Sequence, residues 1–180
     1  MRLTHFWRRP RLLEPEETWN AFANDAARIF EHLTRHVRVA SGRYKGSRIS
    51  LAGPAGQGEP IVAAREISFN GVKGPCNLSH ESCHVPRRRP VATWESHEQG
   101  LYLDFCKTAR KPYDLAVAMV LFSLKHCWPE VELFSDGFPE DFAQARSEYV
   151  TLFPDRQVAV ACTLSAGTTV DVASRYSRLN

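Results

Sequence analysis

The sequence predicts one domain of mixed secondary structure, of the α/β or α+β class. Two patterns indicate this: a long amphipathic helix near the N-terminus, and a strand, helix, strand succession across residues 101–137. The 180 residues suffice for a single core, and 24% of charged residues is typical of globular proteins. We therefore expect residues 1–180 to form one domain. It should contain a mixed β-sheet, the N-terminal helix, a buried crossover helix and a third helix packed on it.

Residues 1–13 are rich in arginine and predict a basic N-terminal arm. They do not match a signal peptide, because Glu14, Glu16 and Glu17 stand where an apolar core would run. The longest apolar run, residues 115–122, is far below the roughly 20 residues that a membrane-spanning helix needs. Five cysteines are an odd number in a chain too large to need a disulfide framework. This usage favours a cytoplasmic location.

Residues 15–37 predict the long helix, because apolar side chains recur at three- and four-residue spacings along one face. That face consists of Trp19, Phe22, Ala26, Ile29, Phe30, Leu33 and Val37. Pro15 suits the first helical position, and Glu31 and Arg35 are spaced to pair across one turn. We expect this helix to pack on a larger body.

Short strands and turns are expected in the middle of the chain. Residues 37–40 and 48–51 predict two strands joined by the loop SGRYKG, and residues 61–69 predict a third. Asn70 and Gly71 together are a strong turn signal, since both residues tolerate positive φ. Residues 72–90 predict an irregular loop rich in cysteine, histidine and arginine, because three prolines interrupt it.

The second half of the chain predicts the crossover and the third helix. Strands are expected at residues 91–95, 101–106 and 131–134, and a helix that is apolar nearly all round is expected at residues 112–126. Another helix is expected at residues 139–152. Residues 157–164 and 168–173 predict a final hairpin.

The crossover predicts a binding site, because a right-handed connection brings the loop after its first strand and the turn after its second to one sheet edge. The residues concerned are Lys107, Thr108, Arg110, Lys111, Ser135 and Asp136. Lys107 and Arg110 would hold an anion beside a helix N-terminus, and Thr108 would donate a hydrogen bond. Asp136 would act as a base or bind Mg²⁺, which favours phosphoryl or phosphate-ester chemistry. The alternative is an ordinary solvated loop and turn.

Two further sites depend on cysteine. Cys76, His80, Cys83 and His84 lie within nine residues and are possible Zn²⁺ ligands, although their spacing matches no established zinc pattern. The alternative is a surface loop with buried cysteines. Cys106 ends a strand beside Lys107 and Arg110, which favours a reactive thiolate; if it faces covering helices, it is instead an inert buried thiol.

The segment PRRRP, residues 86–90, suggests a nucleic-acid contact, with Trp94, Tyr102 and Tyr113 as stacking surfaces. We do not favour it, because acidic and basic residues nearly balance at a net charge of +3. The leading hypothesis is a cytoplasmic domain that binds an anionic, phosphate-bearing small molecule at the 107–111/135–137 edge. The competing one is a non-catalytic inhibitor, immunity or adaptor protein that binds a protein partner through a basic and aromatic surface.

Overall fold

The computed structural model describes residues 3–91, 95, 97–157, 161–164 and 168–171, the last two ranges by backbone pairing alone. In these residues it contains two β-sheets and three α-helices in one compact domain. The α+β form of the predicted fold class is therefore confirmed, including the long N-terminal helix.

The larger sheet has five strands. They are β1 (Thr4–Pro10), β6 (Leu101–Lys107), β7 (Glu132–Ser135), β8 (Ala161–Leu164) and β9 (Thr168–Asp171). The order is β6-β1-β7-β8-β9, with β1 antiparallel to both of its neighbours and β7 parallel to β8. The final pair, β8 and β9, is the antiparallel hairpin expected near the C-terminus.

Residues 4–10 form β1, which lies between β6 and β7 in this sheet. This strand replaces most of the basic arm that was expected over residues 1–13. His5 and Trp7 are buried on one side, and Phe6 and Arg8 are half-exposed on the other. The arginines concealed this alternation, because an arginine is rarely buried without a partner. Arg9 is fully buried, and its guanidinium donates to backbone carbonyls that include the one of Pro86 at 2.5 Å. Burial lowers the pKa of Arg9 to about 10.

The three helices lie on the inner side of the larger sheet, where the second of them packs against β1 and β7 and the other two pack against the second. They are α1 (Glu16–His36), α2 (Asp114–Cys127) and α3 (Ala143–Leu152), and a 3₁₀ turn, Pro139–Phe142, precedes α3. The predicted apolar face of α1 is buried, and α2 is buried on every side from Leu115 to Leu124. The pair Glu31–Arg35 forms at 2.8 Å. None of the helices among the described residues is both long and apolar enough to cross a membrane.

A polar cluster joins the three helices and was not predicted. Asp25 lies within the buried face of α1 and is 5% exposed. It accepts hydrogen bonds from Ser123 of α2 and from Arg156, which follows α3 and also contacts the hydroxyl of Tyr149. An aspartate in an apolar helix face is a signal for such a cluster, because a buried carboxylate requires partners.

The smaller sheet is centred on β4 (Glu66–Gly71). It pairs with β5 (Cys83–Pro86) on one side and with β2 (Leu51–Ala52) and β3 (Ile61–Val62) on the other. Asn70 and Gly71 end β4 rather than forming the predicted turn, because the side chain of Asn70 binds the backbone N–H and C=O of His80.

Other expectations in this region are met only in part. The predicted strands at 37–40 and 48–51 reduce to a single antiparallel bridge between Arg38 and Arg48. The stretch 72–90, expected to be irregular, contains β5. Most of the predicted strand at 91–95 lies outside the described residues.

Candidate functional site

The predicted edge exists, but its geometry differs from the expectation in one respect. Since β6 and β7 are both antiparallel to β1, they run parallel to each other, and their C-terminal ends lie at the same edge. They are not neighbours, because β1 lies between them. The start of β1 therefore enters the site: the backbone N–H of Thr4 donates to Asp136 at 2.6 Å, and the N–H of Thr108 donates to the carbonyl of Leu3 at 3.0 Å.

Both hydroxyl groups predicted at this edge are buried and serve the fold. The hydroxyl of Thr108 donates to the carboxylate of Asp114. The hydroxyl of Ser135 donates to the carbonyl of Thr4 at 3.0 Å and accepts from the N–H of Gly137 at 3.1 Å. With 0% and 1% exposure, respectively, Thr108 and Ser135 are closed to a ligand in this conformation.

The three predicted cations each have a partner within the chain. Arg110 forms an ion pair with Asp141, and the Nζ atom of Lys107 lies 3.4 Å from the carboxylate of Glu81. Lys111 donates to the carbonyl of Asn77 at 2.5 Å. An anion at this edge would have to compete with all three contacts.

A buried histidine that was not predicted completes the edge. His5 is 2% exposed, and its Nε2 atom lies 2.7 Å from the same oxygen of Asp114 that binds Thr108. Its ring also meets the ring of Phe142 edge-on, with centroids 5.5 Å apart. Its burial follows from the alternation of exposure along β1, which the residue types of 4–10 do not display. Asp114 thus ties β1 and the loop after β6 to the start of α2.

The geometry does not favour Cys106 as a nucleophile. Cys106 is fully buried, and its thiol contacts the carbonyl of Glu81 at 3.6 Å. The neighbouring thiol of Cys83 and burial raise the pKa of Cys106 well above its ordinary value. The neutral thiol is therefore favoured, as expected of an inert buried cysteine.

The four proposed zinc ligands do not converge. Cys83 points into the core, whereas the next residue, His84, points outward and binds Glu66 at 2.7 Å. His80 binds the carbonyl of Lys107 at 2.8 Å through Nδ1, and Cys76 is exposed. Across the described part of the chain, no three metal-ligating side chains are grouped to hold an ion.

Two arginines of the PRRRP segment are ion-paired. Arg87 lies 3.3 Å from Glu16, and Arg89 binds both Glu95 and Asp104. Of the three, Arg88 is exposed. Tyr113, expected to stack on bases, is also buried. Trp94, expected to do the same, lies outside the described residues.

Two exposed large apolar side chains lie together on the outer side of the larger sheet. Register places Phe105, Phe6 and Phe134 side by side in one row across β6, β1 and β7. The next row contains Leu103 and Arg8. We call these five residues the outer face. Leu103 is 48% exposed and Phe105 is 51% exposed, which is unusual for large apolar side chains in a folded domain.

The charged groups around the outer face are already neutralised. Arg8 lies 3.0 Å from Glu98 and 3.2 Å from Glu132, and its guanidinium stands 5.3 Å from the ring centre of Phe134. The outer edge of β6 is partly covered as well. Leu101 exchanges backbone hydrogen bonds with Glu98, and the carbonyl of Leu103 accepts from Arg89 at 3.1 Å. The open feature is therefore the face of the sheet rather than its edge.

No protein-family model, no curated protein and no solved structure matches this chain.

Proposed function

We propose that this chain is a non-catalytic interaction module that binds a protein partner through the outer face. The supporting observation is the row of three phenylalanines beside a half-exposed leucine, on the side of the sheet away from the helices. A protein interface with an apolar centre and a polar rim has this composition.

Charge indicates what kind of partner fits. Arg8 of the outer face and Lys107 beside it already have carboxylate partners. A polyanion would therefore find little unbalanced positive charge there, whereas an apolar protein surface would bury Leu103 and Phe105. Partly exposed aromatic and arginine side chains are also typical of binding hot spots. The cytoplasm remains the proposed compartment, and Cys76, Cys83, Cys106 and Cys127 are free thiols in keeping with it.

The competing proposal is an anionic, phosphate-bearing ligand at the 107–111/135–137 edge, with Asp136 as base or Mg²⁺ ligand. Its support is the common edge of the loop after β6 and the turn after β7. Against it stand the internal partners of Lys107, Arg110 and Thr108. Inorganic phosphate should leave the melting temperature of the wild type unchanged if the edge only supports the fold.

Photo-crosslinking tests the proposed surface. A photoreactive phenylalanine at position 105, on the outer face, is compared in the native host with one at position 150. Val150 is a matched control, because it is 44% exposed but belongs to α3. We expect a specific adduct from position 105 and none from position 150.

The captured protein is then purified and titrated against variants. We expect the double variant Leu103→Glu/Phe105→Glu to bind at least about 100-fold more weakly, because central hot-spot residues each contribute about 2 kcal/mol or more. Val150→Glu should bind like the wild type. Equal affinity of all three proteins, or equal adducts from both positions, would refute the outer face as the binding surface.

A further inference from the structure

The segment following α1 concentrates positive charge. Residues 32–58 contain no aspartate or glutamate. They contain Arg35, Arg38, Arg43, Lys45 and Arg48. Because the whole chain has a net charge of only +3, this stretch is a local excess that the average composition conceals.

Hydrogen bonds hold this segment in a defined hairpin. The N–H of Val39 donates to the carbonyl of Ser47 at 3.0 Å, and the N–H of Gly46 donates to the carbonyl of Val39 at 2.8 Å. The side chain of Gln144, on α3, fixes the base of the hairpin: it donates to the carbonyl of Arg38 at 2.6 Å and accepts from the N–H of Ala40 at 2.8 Å. The arginines are therefore carried by an ordered backbone.

The hairpin places Arg38 and Arg48 directly opposite each other across an antiparallel bridge. Like charges in that arrangement are destabilising. Both side chains are exposed, and neither has a carboxylate partner among the described residues. In the free protein the two guanidinium charges repel each other, and a bound anion would relieve this repulsion.

A cavity lies at this bridge. It has a volume of about 320 Å³ and is lined by Thr34, Arg35, His36, Val37, Arg38 and Arg48. Arg35 is paired with Glu31, but both groups are more than half exposed, so this pair contributes little and is easily exchanged for another partner. The space accommodates a phosphate group, and guanidinium groups bind phosphate oxygens through two parallel hydrogen bonds.

Further cations lead away from the cavity towards the end of the hairpin. The guanidinium of Arg43 stands 5.7 Å from the ring centre of Tyr44, and the Nζ atom of Lys111 stands 5.8 Å from it. Lys45 follows and is exposed. Charge that extends along a hairpin suits a linear chain of phosphates better than a single small anion.

We propose that residues 35–48 bind the phosphate backbone of a nucleic acid, with one phosphate in the cavity between Arg38 and Arg48. This site is independent of the outer face and of the interaction proposed for it. Recognition through backbone phosphates carries no base specificity by itself, so affinity should depend strongly on salt and weakly on sequence.

Fluorescence anisotropy with a labelled oligonucleotide of about 20 residues, single-stranded and as a duplex, tests the proposal; backbone binding of this kind has a Kd of about 1–100 µM at physiological salt. The decisive variant is Arg38→Gln/Arg48→Gln. We expect it to bind at least about tenfold more weakly and to reduce the slope of log affinity against log salt by about 1, since the two arginines share one phosphate and each lost phosphate contact lowers the slope by about 1.

The control variant is Arg65→Gln/Arg88→Gln, which removes two exposed arginines elsewhere and should bind like the wild type. Circular dichroism and melting temperature verify folding, and removal of the like-charge pair should leave stability equal or slightly higher. Equal losses in both variants would overturn the proposal. So would an unchanged salt slope, or equally tight binding of polyglutamate. The variant Leu103→Glu/Phe105→Glu should bind the oligonucleotide normally, which separates this site from the outer face.

Discussion

Replacing Asp114 tests whether the predicted edge supports the fold. In the variant Asp114→Ala, the Nε2 group of His5 and the hydroxyl of Thr108 lose their shared acceptor. Both side chains are buried, so neither regains a bond to water without local opening. The variant should remain folded but lose a substantial part of its stability.

The structure gives the size of this loss. A buried donor without a partner costs about 1–3 kcal/mol. The cost for His5 lies at the upper end, because no second acceptor for Nε2 is seen in the described structure. The cost for Thr108 lies at the lower end, because its hydroxyl also lies 3.4 Å from the carbonyl of Leu3. Loss of a carboxylate from the first turn of α2 adds about 0.5 kcal/mol. The sum is roughly 4.5 kcal/mol, or about 13 °C in melting temperature for a chain of this length.

Urea denaturation of Asp114→Ala and of Glu130→Ala measures the difference. Glu130 is an exposed carboxylate and serves as the control, with an expected change below about 0.5 kcal/mol. Asp114→Asn should fall between the two, because the amide retains an acceptor oxygen but no charge. If Asp114→Ala were as stable as the Glu130 variant, the structural role of the edge would be refuted. The competing anion site would then gain support.

Three more outcomes follow from the buried polar groups. Asp25→Ala should cost about 3–5 kcal/mol in urea denaturation, because it leaves Arg156 without its carboxylate, whereas Asp25→Leu/Arg156→Met should cost less than the single change. Burial raises the pKa of Cys127 from its ordinary value of 9.0 to about 11. The unfolded chain therefore releases this proton first, so stability should be full below pH 9 and fall as pH rises through 11, with a smaller fall in Cys127→Ala. In the background Cys127→Ser/Cys162→Ser, a thiol reagent at pH 8 should label Cys76 rapidly and Cys106 only on unfolding. Rapid labelling of that background after Cys76→Ser is added would contradict the burial of Cys83 and Cys106.

Helices α1 and α2 could be predicted from the sequence, because the apolar residues of α1 are periodic and those of α2 are continuous. In α1, the stripe from Trp19 to Leu33 repeats with the helical period, and α2 is apolar on all sides because it is enclosed on all sides. Such patterns are local, so they can be recognised without knowing what the helix packs against.

Strand β1 could not be predicted with the same rules. Its alternation is interrupted by Arg9, which is buried because distant carbonyls at residues 86 and 87 accept its hydrogen bonds. Long-range partners of this kind leave no local signal. The same reason explains why Asn70 was taken for a turn residue, since its partner, His80, lies ten residues away.

At the predicted site, topology correctly brought the loop after β6 and the turn after β7 to one edge. The residue types did not reveal that Glu81 and Asp141 pair with Lys107 and Arg110, or that Asp114 accepts the hydroxyl of Thr108. None of these three was part of the predicted set. The row of phenylalanines on the outer face was equally hidden, because its register depends on the unpredicted strand β1.

Hydroxyl-radical footprinting of the chain, free and bound to the protein captured at position 105, locates the binding surface, because it reports side-chain exposure residue by residue. If the partner covers the outer face, oxidation of Leu103 and Phe105 falls sharply on binding, while oxidation of Val150 does not change. Protection confined to residues 107–111 and 135–138, with Leu103 and Phe105 as reactive as before, would contradict this prediction and move the binding site to the sheet edge.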